Sequence, residues 1–110
     1  MFIAKTKKYT HIKPNTNSVA EFYLDFKNRY PEFENENLII DFSEEFNIKI
    51  EELILFLKLS VQHQENGTSF VLICKGINID IVPDELNVVP TLTEAIDILD
   101  MDAIERDLGF

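Results

Sequence analysis

Two short apolar runs, separated by a segment of helical length, constrain the fold more than any other feature. Residues 37–41 (NLIID) and 69–74 (SFVLIC) are mainly apolar and of strand length, which is typical of strands that are covered on both faces. Residues 48–63, between them, predict a helix. Its core stripe is expected to consist of Ile50, Leu53, Ile54, Leu57 and Val61. Strands that alternate with helices favour a mostly parallel sheet.

Capping and turn residues predict where the other elements begin and end. Ser18 and Thr91 each stand three residues before a glutamate, which is the spacing of a capping box at a helix start. Asn66 and Gly67 tolerate positive φ and predict the end of the second helix. The second capped helix is expected to run through Leu99, with a further helical segment after it.

The remaining segments predict short strands and one short connection. Residues 2–13 alternate loosely between apolar and polar side chains, so they predict one or two strands. Residues 75–86 predict a connection with at most one helical turn, near Pro83–Leu86, and residues 87–90 predict a short strand. We expect one α/β domain over residues 1–110, with helices packed on a mixed, mostly parallel sheet of four to five strands.

The charge distribution excludes some partners. The net charge is −10, and every acidic residue lies after position 20, whereas residues 1–13 hold four lysines. An acidic domain repels nucleic acid and anionic membranes. We interpret the lysine-rich start as an edge strand protected by charge, with a basic contact for an acidic partner as the alternative. Met1 leads directly into strand-like residues and no apolar run approaches 18 residues, so we expect a cytoplasmic protein.

The reactive residue types are scattered. We expect His11 and His63 to be solvated surface residues and Cys74 to be a small buried apolar residue. The abundant carboxylate pairs suit helix starts and solubility, and the three glycines stand singly. We therefore predict no catalytic, cofactor-binding or metal-binding residues, and a protein that is not an enzyme.

Three stretches together resemble the STAS domain of anti-sigma factor antagonists and sulfate transporter tails. They are NLIIDFS, EELILFLKLSVQHQENGTSFVLI and ELNVVPTLTEAIDIL. The first is similar to the family's strand that ends in Asp-Leu-Ser, the second has the family's helix-to-strand spacing, and the third is similar to its closing strand, turn and helix. The resemblance covers about residues 8–100 and implies the STAS fold.

The chain departs from the family at two places. Members that act as phosphorylation switches carry Asp-Ser-Ser-Gly where the second helix begins, and this position corresponds to residues 49–52, which include no hydroxyl. Glu51 and Glu52 are interpreted as a capped, structural helix start, with a permanent mimic of phosphoserine as the alternative. The family usually has a full helix between its last two strands, and residues 75–86 are too few for one.

The resemblance implies a bacterial, regulatory protein-protein interaction module that is not gated by phosphorylation. We expect its partner-binding residues at the start and exposed flank of the second helix. They are Asn47, Ile48, Lys49, Glu51, Glu52 and Phe56. Phe56 is the predicted anchor, because aromatic residues dominate interface energetics.

Two further functions stay open. One is a self-associating or structural subunit that stabilises an operon partner, such as a neighbour of ribonuclease Z. The other is a small-molecule sensor, which requires a pocket with convergent polar groups. The tail, MDAIERDLGF, either docks on the sheet or serves as a handle for another protein.

Overall fold

The computed structural model describes residues 1–44 and 48–109. These residues form five strands and four α-helices. The strands are β1 (Phe2–Lys5), β2 (Thr10–Lys13), β3 (Leu38–Asp41), β4 (Phe70–Ile73) and β5 (Asn87–Val89). The helices are α1 (Val19–Arg29), α2 (Ile50–Ile54), α3 (Leu57–Glu65) and α4 (Leu92–Asp107). Short 3₁₀ turns lie at Tyr30–Glu32 and Ile79–Ile81.

The strands make one sheet in the order β1-β2-β3-β4-β5. β1 pairs antiparallel with β2, and every other neighbouring pair is parallel. The mixed, mostly parallel sheet predicted from the sequence is therefore confirmed. The lysine-rich segment, residues 1–13, forms the edge strand β1 and its neighbour β2. An edge strand was expected here, but of the four lysines Lys5 alone lies on β1. Between β4 and β5 the described chain forms a 3₁₀ turn at Ile79–Ile81. A further turn lies at Pro83–Leu86, where the sequence predicted one, and there the Leu86 N–H donates to the Pro83 carbonyl at 3.0 Å.

The two central strands are buried on both faces. Leu38, Ile40 and Leu72 join the core that α1, α2 and α3 cover. Ile39 and Val71 join a second, smaller core, which α4 covers through Ala95 and Leu99. Because successive strand residues point to opposite faces, both faces need apolar side chains. This is the reason why the runs at 37–41 and 69–74 show no polar alternation.

The larger core is built around a cluster of aromatic rings. Phe56 lies at its centre, with ring centroids 5.2 Å from Tyr23, 5.7 Å from Phe42 and 6.1 Å from both Phe22 and Phe26. These separations are those of favourable edge-to-face and tilted aromatic pairs. Phe56 therefore ties α1 and the end of β3 to the second helical segment.

The second helical segment is two helices, not one. The Phe56 N–H donates to the carbonyl of Leu53 at 3.0 Å, a bond three residues back that is tighter than an α-helical turn. The tighter turn changes the rotational phase of the helix, so Phe56 and Leu59 turn inward while Ile54 turns outward. The predicted core stripe is wrong at Ile54, and Phe56 is a core residue that offers no exposed surface to a partner.

The prediction that His63 is solvated is also wrong. His63 is fully buried, and its Nε2–H donates to the carbonyl oxygen of Glu36 at 2.6 Å. Its Nδ1 accepts from the Tyr30 hydroxyl at 2.6 Å, and burial, with the charge of Glu34, raises the pKa of that phenol. Burial lowers the pKa of His63, and the charge of Arg106 adds to this lowering, although the Glu36 carbonyl opposes it. The ring is therefore held neutral.

The predicted helix ends are largely confirmed. The Glu21 N–H donates to Ser18 Oγ at 3.1 Å, and the Glu94 N–H donates to Thr91 Oγ1 at 3.2 Å. Gly67 ends α3 with φ +86°. Cys74 is buried, as expected. The last helix differs from the prediction, because α4 continues without a break through Leu99 to Asp107.

Truncation of Phe56 tests its role in the core. Phe56→Ala is expected to lower the free energy of unfolding by about 3–5 kcal/mol, because it leaves a cavity at the centre of the aromatic cluster. Urea unfolding followed by circular dichroism measures this change. Leu24→Ala, at an exposed position of α1, is the control and is expected to change stability by less than about 0.5 kcal/mol. Equal effects of the two substitutions would contradict this structure.

The neutral His63 predicts a pH dependence of stability. Its pKa in the folded protein lies below the ordinary 6.5, so the unfolded chain takes up the proton first. The stability that the neutral His63 ring contributes is complete above pH 6.5, and it is lost as the pH falls through the folded-state pKa of His63. The free energy of unfolding, measured with urea, is expected to decrease from pH 7.5 to pH 5.5, and to decrease less for His63→Gln than for the natural chain. His11 is present in both proteins, so its contribution cancels. A larger decrease for the variant would contradict the assignment.

Candidate partner-binding surface

The carboxyl ends of the parallel strands mark the edge of the sheet where sites usually form in α/β folds. The chain leaves β3 at this edge and enters α2 after residues 42–49. Asn47 lies outside the described residues, so the structure locates only the other predicted partner-binding residues. The described side chains at this edge form two groups, one at the ends of β2 and β3 and one at the start of α2.

The first group is centred on Asp41, at the end of β3. Its Oδ2 lies 2.7 Å from Nε2 of His11 on the neighbouring strand β2. Its Oδ1 accepts from the backbone N–H of Ser43 at 2.8 Å. An outer ion pair joins Lys13 to Glu44 at 3.4 Å. Asp41 therefore links the end of β2 to the turn that leaves β3.

Asp41 is buried yet ionised. Burial raises the pKa of a carboxyl group, but the hydrogen bonds from the hydroxyl and backbone of Ser43 and from His11 outweigh it. The net pKa of Asp41 is therefore below its ordinary value of 3.8. His11 is largely buried as well, so the prediction that it is solvated is wrong.

This group is not arranged for nucleophilic catalysis. A serine nucleophile requires a hydrogen bond to its base, and a third group orients that base. Here Asp41 lies between Ser43 and His11 and binds both. A nearby hollow of about 100 Å³ is lined by β1 and β2 residues, including Phe2 and Lys13, and it is smaller than typical ligand pockets. The arrangement suits a structural clamp at the edge of the sheet.

The second group is the start of α2. The Glu52 carboxylate accepts from the backbone N–H of Lys49 at 2.9 Å, so it caps the helix. Ile48 is half-buried and packs against the larger core. Lys49 and Glu51 are exposed. Of the predicted partner-binding residues in this group, Lys49 and Glu51 are thus the ones that face solvent.

Two apolar residues next to this helix start were missed by the sequence interpretation. Ile54 is 41% exposed and Leu55 is 39% exposed. They stand three and four residues after Glu51, so they are its neighbours on the helix surface. We call Lys49, Glu51, Ile54 and Leu55 the α2 surface. The sequence signal was present, since residues 53–57 hold more apolar residues than one helix face needs.

Within residues 1–44 and 48–109, no three His, Cys, Asp or Glu side chains are grouped so that they could hold a metal ion. In the same part of the chain, each helix is too short or too polar to span a bilayer.

Removal of the Asp41 charge tests the clamp. Asp41→Asn is expected to lower the free energy of unfolding at pH 7 by about 1–3 kcal/mol, because the hydrogen bonds to a buried carboxylate are lost. The ionised group stabilises the fold fully above pH 3.8, its ordinary pKa, and that contribution is lost as the pH falls below this value. The difference between the two proteins in urea unfolding should therefore shrink at pH 3. Asp84→Asn, at an exposed position, is the control, and an equal loss there would contradict the clamp.

Comparison with known proteins identifies the fold. No family model matches the chain, and no curated protein matches it. A serine-to-glutamate variant of RsbS from Moorella thermoacetica superposes with a TM-score of 0.60 at 18% identity, over 92% of this chain and 95% of RsbS. A structure of the stressosome, described as a signal integration and transduction hub, superposes with a TM-score of 0.56 at 18% identity, over 92% of this chain and 97% of the other. The chain has the STAS fold, as the three sequence stretches predicted.

Proposed function

We propose that this chain is a single-domain, non-catalytic, regulatory protein-interaction module of the STAS type. The observation that carries the proposal is the α2 surface, where Ile54 and Leu55 are exposed beside the charged side chains of Lys49 and Glu51. An apolar centre with a polar rim is the usual anatomy of a protein interface. The fold shared with RsbS and with a stressosome component supports a regulatory role.

Within this proposal the predicted partner-binding residues divide by role. Lys49 and Glu51 contact the partner together with Ile54 and Leu55, and Asn47 precedes them in the chain. The half-buried Ile48, the capping Glu52 and the buried Phe56 hold the helix in place and act indirectly. The anchor role that the sequence suggested for Phe56 passes to Leu55, its exposed neighbour.

Binding is proposed to be constitutive. Residues 49–52 carry no hydroxyl group that could accept a phosphate. The hydroxyl of Ser60, further along, is buried and donates to the Glu85 carbonyl at 3.2 Å. Glu52 is used as a helix cap, which favours the structural interpretation of this acidic pair over the phosphoserine mimic.

Self-association is the second candidate function. The stressosome is an assembly, and a chain with its fold could use the same α2 surface against a second copy or against an operon partner that it stabilises. Phe56 and Leu59 of the same helical segment are buried, so Ile54 and Leu55 would form the contact. Sedimentation at micromolar concentration separates this function from binding of a different protein.

Substitution at the α2 surface tests the proposed function. Leu55→Ser is expected to weaken capture of the partner about tenfold, because it removes an apolar contact at the centre of the interface. The measurement is affinity purification of the tagged full chain from its host, with quantitative mass spectrometry of the recovered proteins. Binding constants are then measured for the partner that is recovered.

Leu24→Ser is the matched control, because Leu24 is exposed on α1 and lies outside the α2 surface. Glu51→Lys, like Leu55→Ser, should lower the amount of partner that is recovered. Recovery that is equal for Leu55→Ser and Leu24→Ser would overturn the assignment of the surface. Loss of the partner after phosphatase treatment of the chain would overturn constitutive binding.

A further inference from the structure

The inward face of the last helix, α4, contacts the sheet along its length. Ala95 and Leu99 are buried against the sheet. One and two turns further on, Asp102 accepts from the Ser69 hydroxyl at 2.7 Å, and Arg106 donates to the same oxygen at 3.1 Å. These contacts fix the rotation of the helix about its axis along its length.

The opposite face of α4 carries apolar residues in solvent. Met101 is 59% exposed, Ile104 is 58% exposed and Leu108, the residue that ends the helix, is 66% exposed. Their spacing of i, i+3 and i+7 places them in one row on a helix. We call these three residues the α4 stripe. Since Asp102 and Arg106 hold the other side of the helix on the sheet, the α4 stripe cannot turn inward without breaking those bonds.

The rim of the α4 stripe is acidic. Asp97, Asp100, Glu105 and Asp107 flank it at least partly in solvent. The single basic residue of α4, Arg106, is engaged with Ser69 on the inward side. Lys8, in the turn after β1, forms an ion pair with Asp100 at 2.6 Å. Helix α4 itself provides no basic side chain for Asp97, Glu105 and Asp107, because Arg106 binds Ser69.

We propose that the α4 stripe is a docking surface for a basic amphipathic helix of a partner protein. Such a helix lays an apolar face on Met101, Ile104 and Leu108, in the manner of helix recognition by i, i+3 and i+7 anchors, while its Lys and Arg side chains meet the acidic rim. Charge complementarity selects this occupant. A second copy of this chain would bring two acidic rims together, and each chain carries a net charge of −10.

The α4 stripe is independent of the α2 surface. Helices α2 and α3 cover one face of the sheet through Leu53, Phe56 and Leu59, and α4 covers the other face through Ala95 and Leu99. The two surfaces therefore lie on opposite sides of the sheet, and one chain can hold two partners at once. The inference stands whether or not the α2 surface binds a partner.

The test uses the full chain and a pair of synthetic peptides. The probe is a helix of about 18 residues, long enough to form in contact with a partner, with leucines at i, i+3, i+4 and i+7 and lysines elsewhere. The control peptide has the same leucines, with glutamates in place of the lysines. Titration calorimetry measures affinity, and amide chemical shifts locate the binding. The lysine peptide should bind at least about tenfold more tightly than the glutamate peptide, and the shifts should map to residues 97–108.

Variants make the result specific. The double substitution Met101→Ser and Ile104→Ser should weaken binding of the lysine peptide about tenfold, and Asp97→Asn with Glu105→Gln should reduce the preference between the peptides. Leu24→Ser and Leu55→Ser are controls and should leave the affinity unchanged. All substituted side chains are exposed, so an unchanged circular dichroism spectrum and melting temperature are required of each variant.

Three results would overturn the inference. The first is equal affinity for the two peptides, and the second is binding that the Met101→Ser and Ile104→Ser double variant leaves intact. The third is a dimer in sedimentation at micromolar concentration that this double variant abolishes, because the α4 stripe would then bind a second copy of the chain.

Discussion

The structure depends on one constraint, which is that β3 and β4 are apolar on both faces. A sheet with two apolar faces must be covered twice, and the described chain does this with α1, α2 and α3 on one side and α4 on the other. The covering helices necessarily present their outer faces to solvent on opposite sides of the sheet. Both proposed interaction surfaces, the α2 surface and the α4 stripe, are consequences of this arrangement.

The polar groups that the core includes are paired. Within residues 1–44 and 48–109, every buried side-chain nitrogen or oxygen has a hydrogen-bond partner. Asp41 is held by His11 and Ser43, and His63 is held between Tyr30 and Glu36. A buried polar group without a partner costs free energy comparable to a lost hydrogen bond. The contact of Asp41 with Ser43 is local, whereas its contact with His11 and both contacts of His63 join segments that are distant in the sequence.

Helix caps and the positions of the central strands were predictable because they depend on neighbouring residues. Ser18, Thr91 and Gly67 have the local roles that their spacing indicated, and the apolar runs at 37–41 and 69–74 are the central strands. The break between α2 and α3 was not predictable in the same way. Residues 53–57 are all apolar, so periodicity alone could not show that a tight turn at Phe56 would bury this ring and expose Ile54 and Leu55.

The sequence by itself determined the class of fold, the helix starts and the edge strand, since hydrophobic pattern, capping chemistry and charge act locally. Only the tertiary structure decided which apolar residues remained outside. Ile104 and Leu108 look like core residues in the sequence, yet the contacts of Asp102 and Arg106 with Ser69 turn them outward. His63, a polar residue in the sequence, is enclosed because Tyr30 and Glu36 reach it from more than twenty residues away. Burial is a property of what packs against a residue, and no local pattern contains that information.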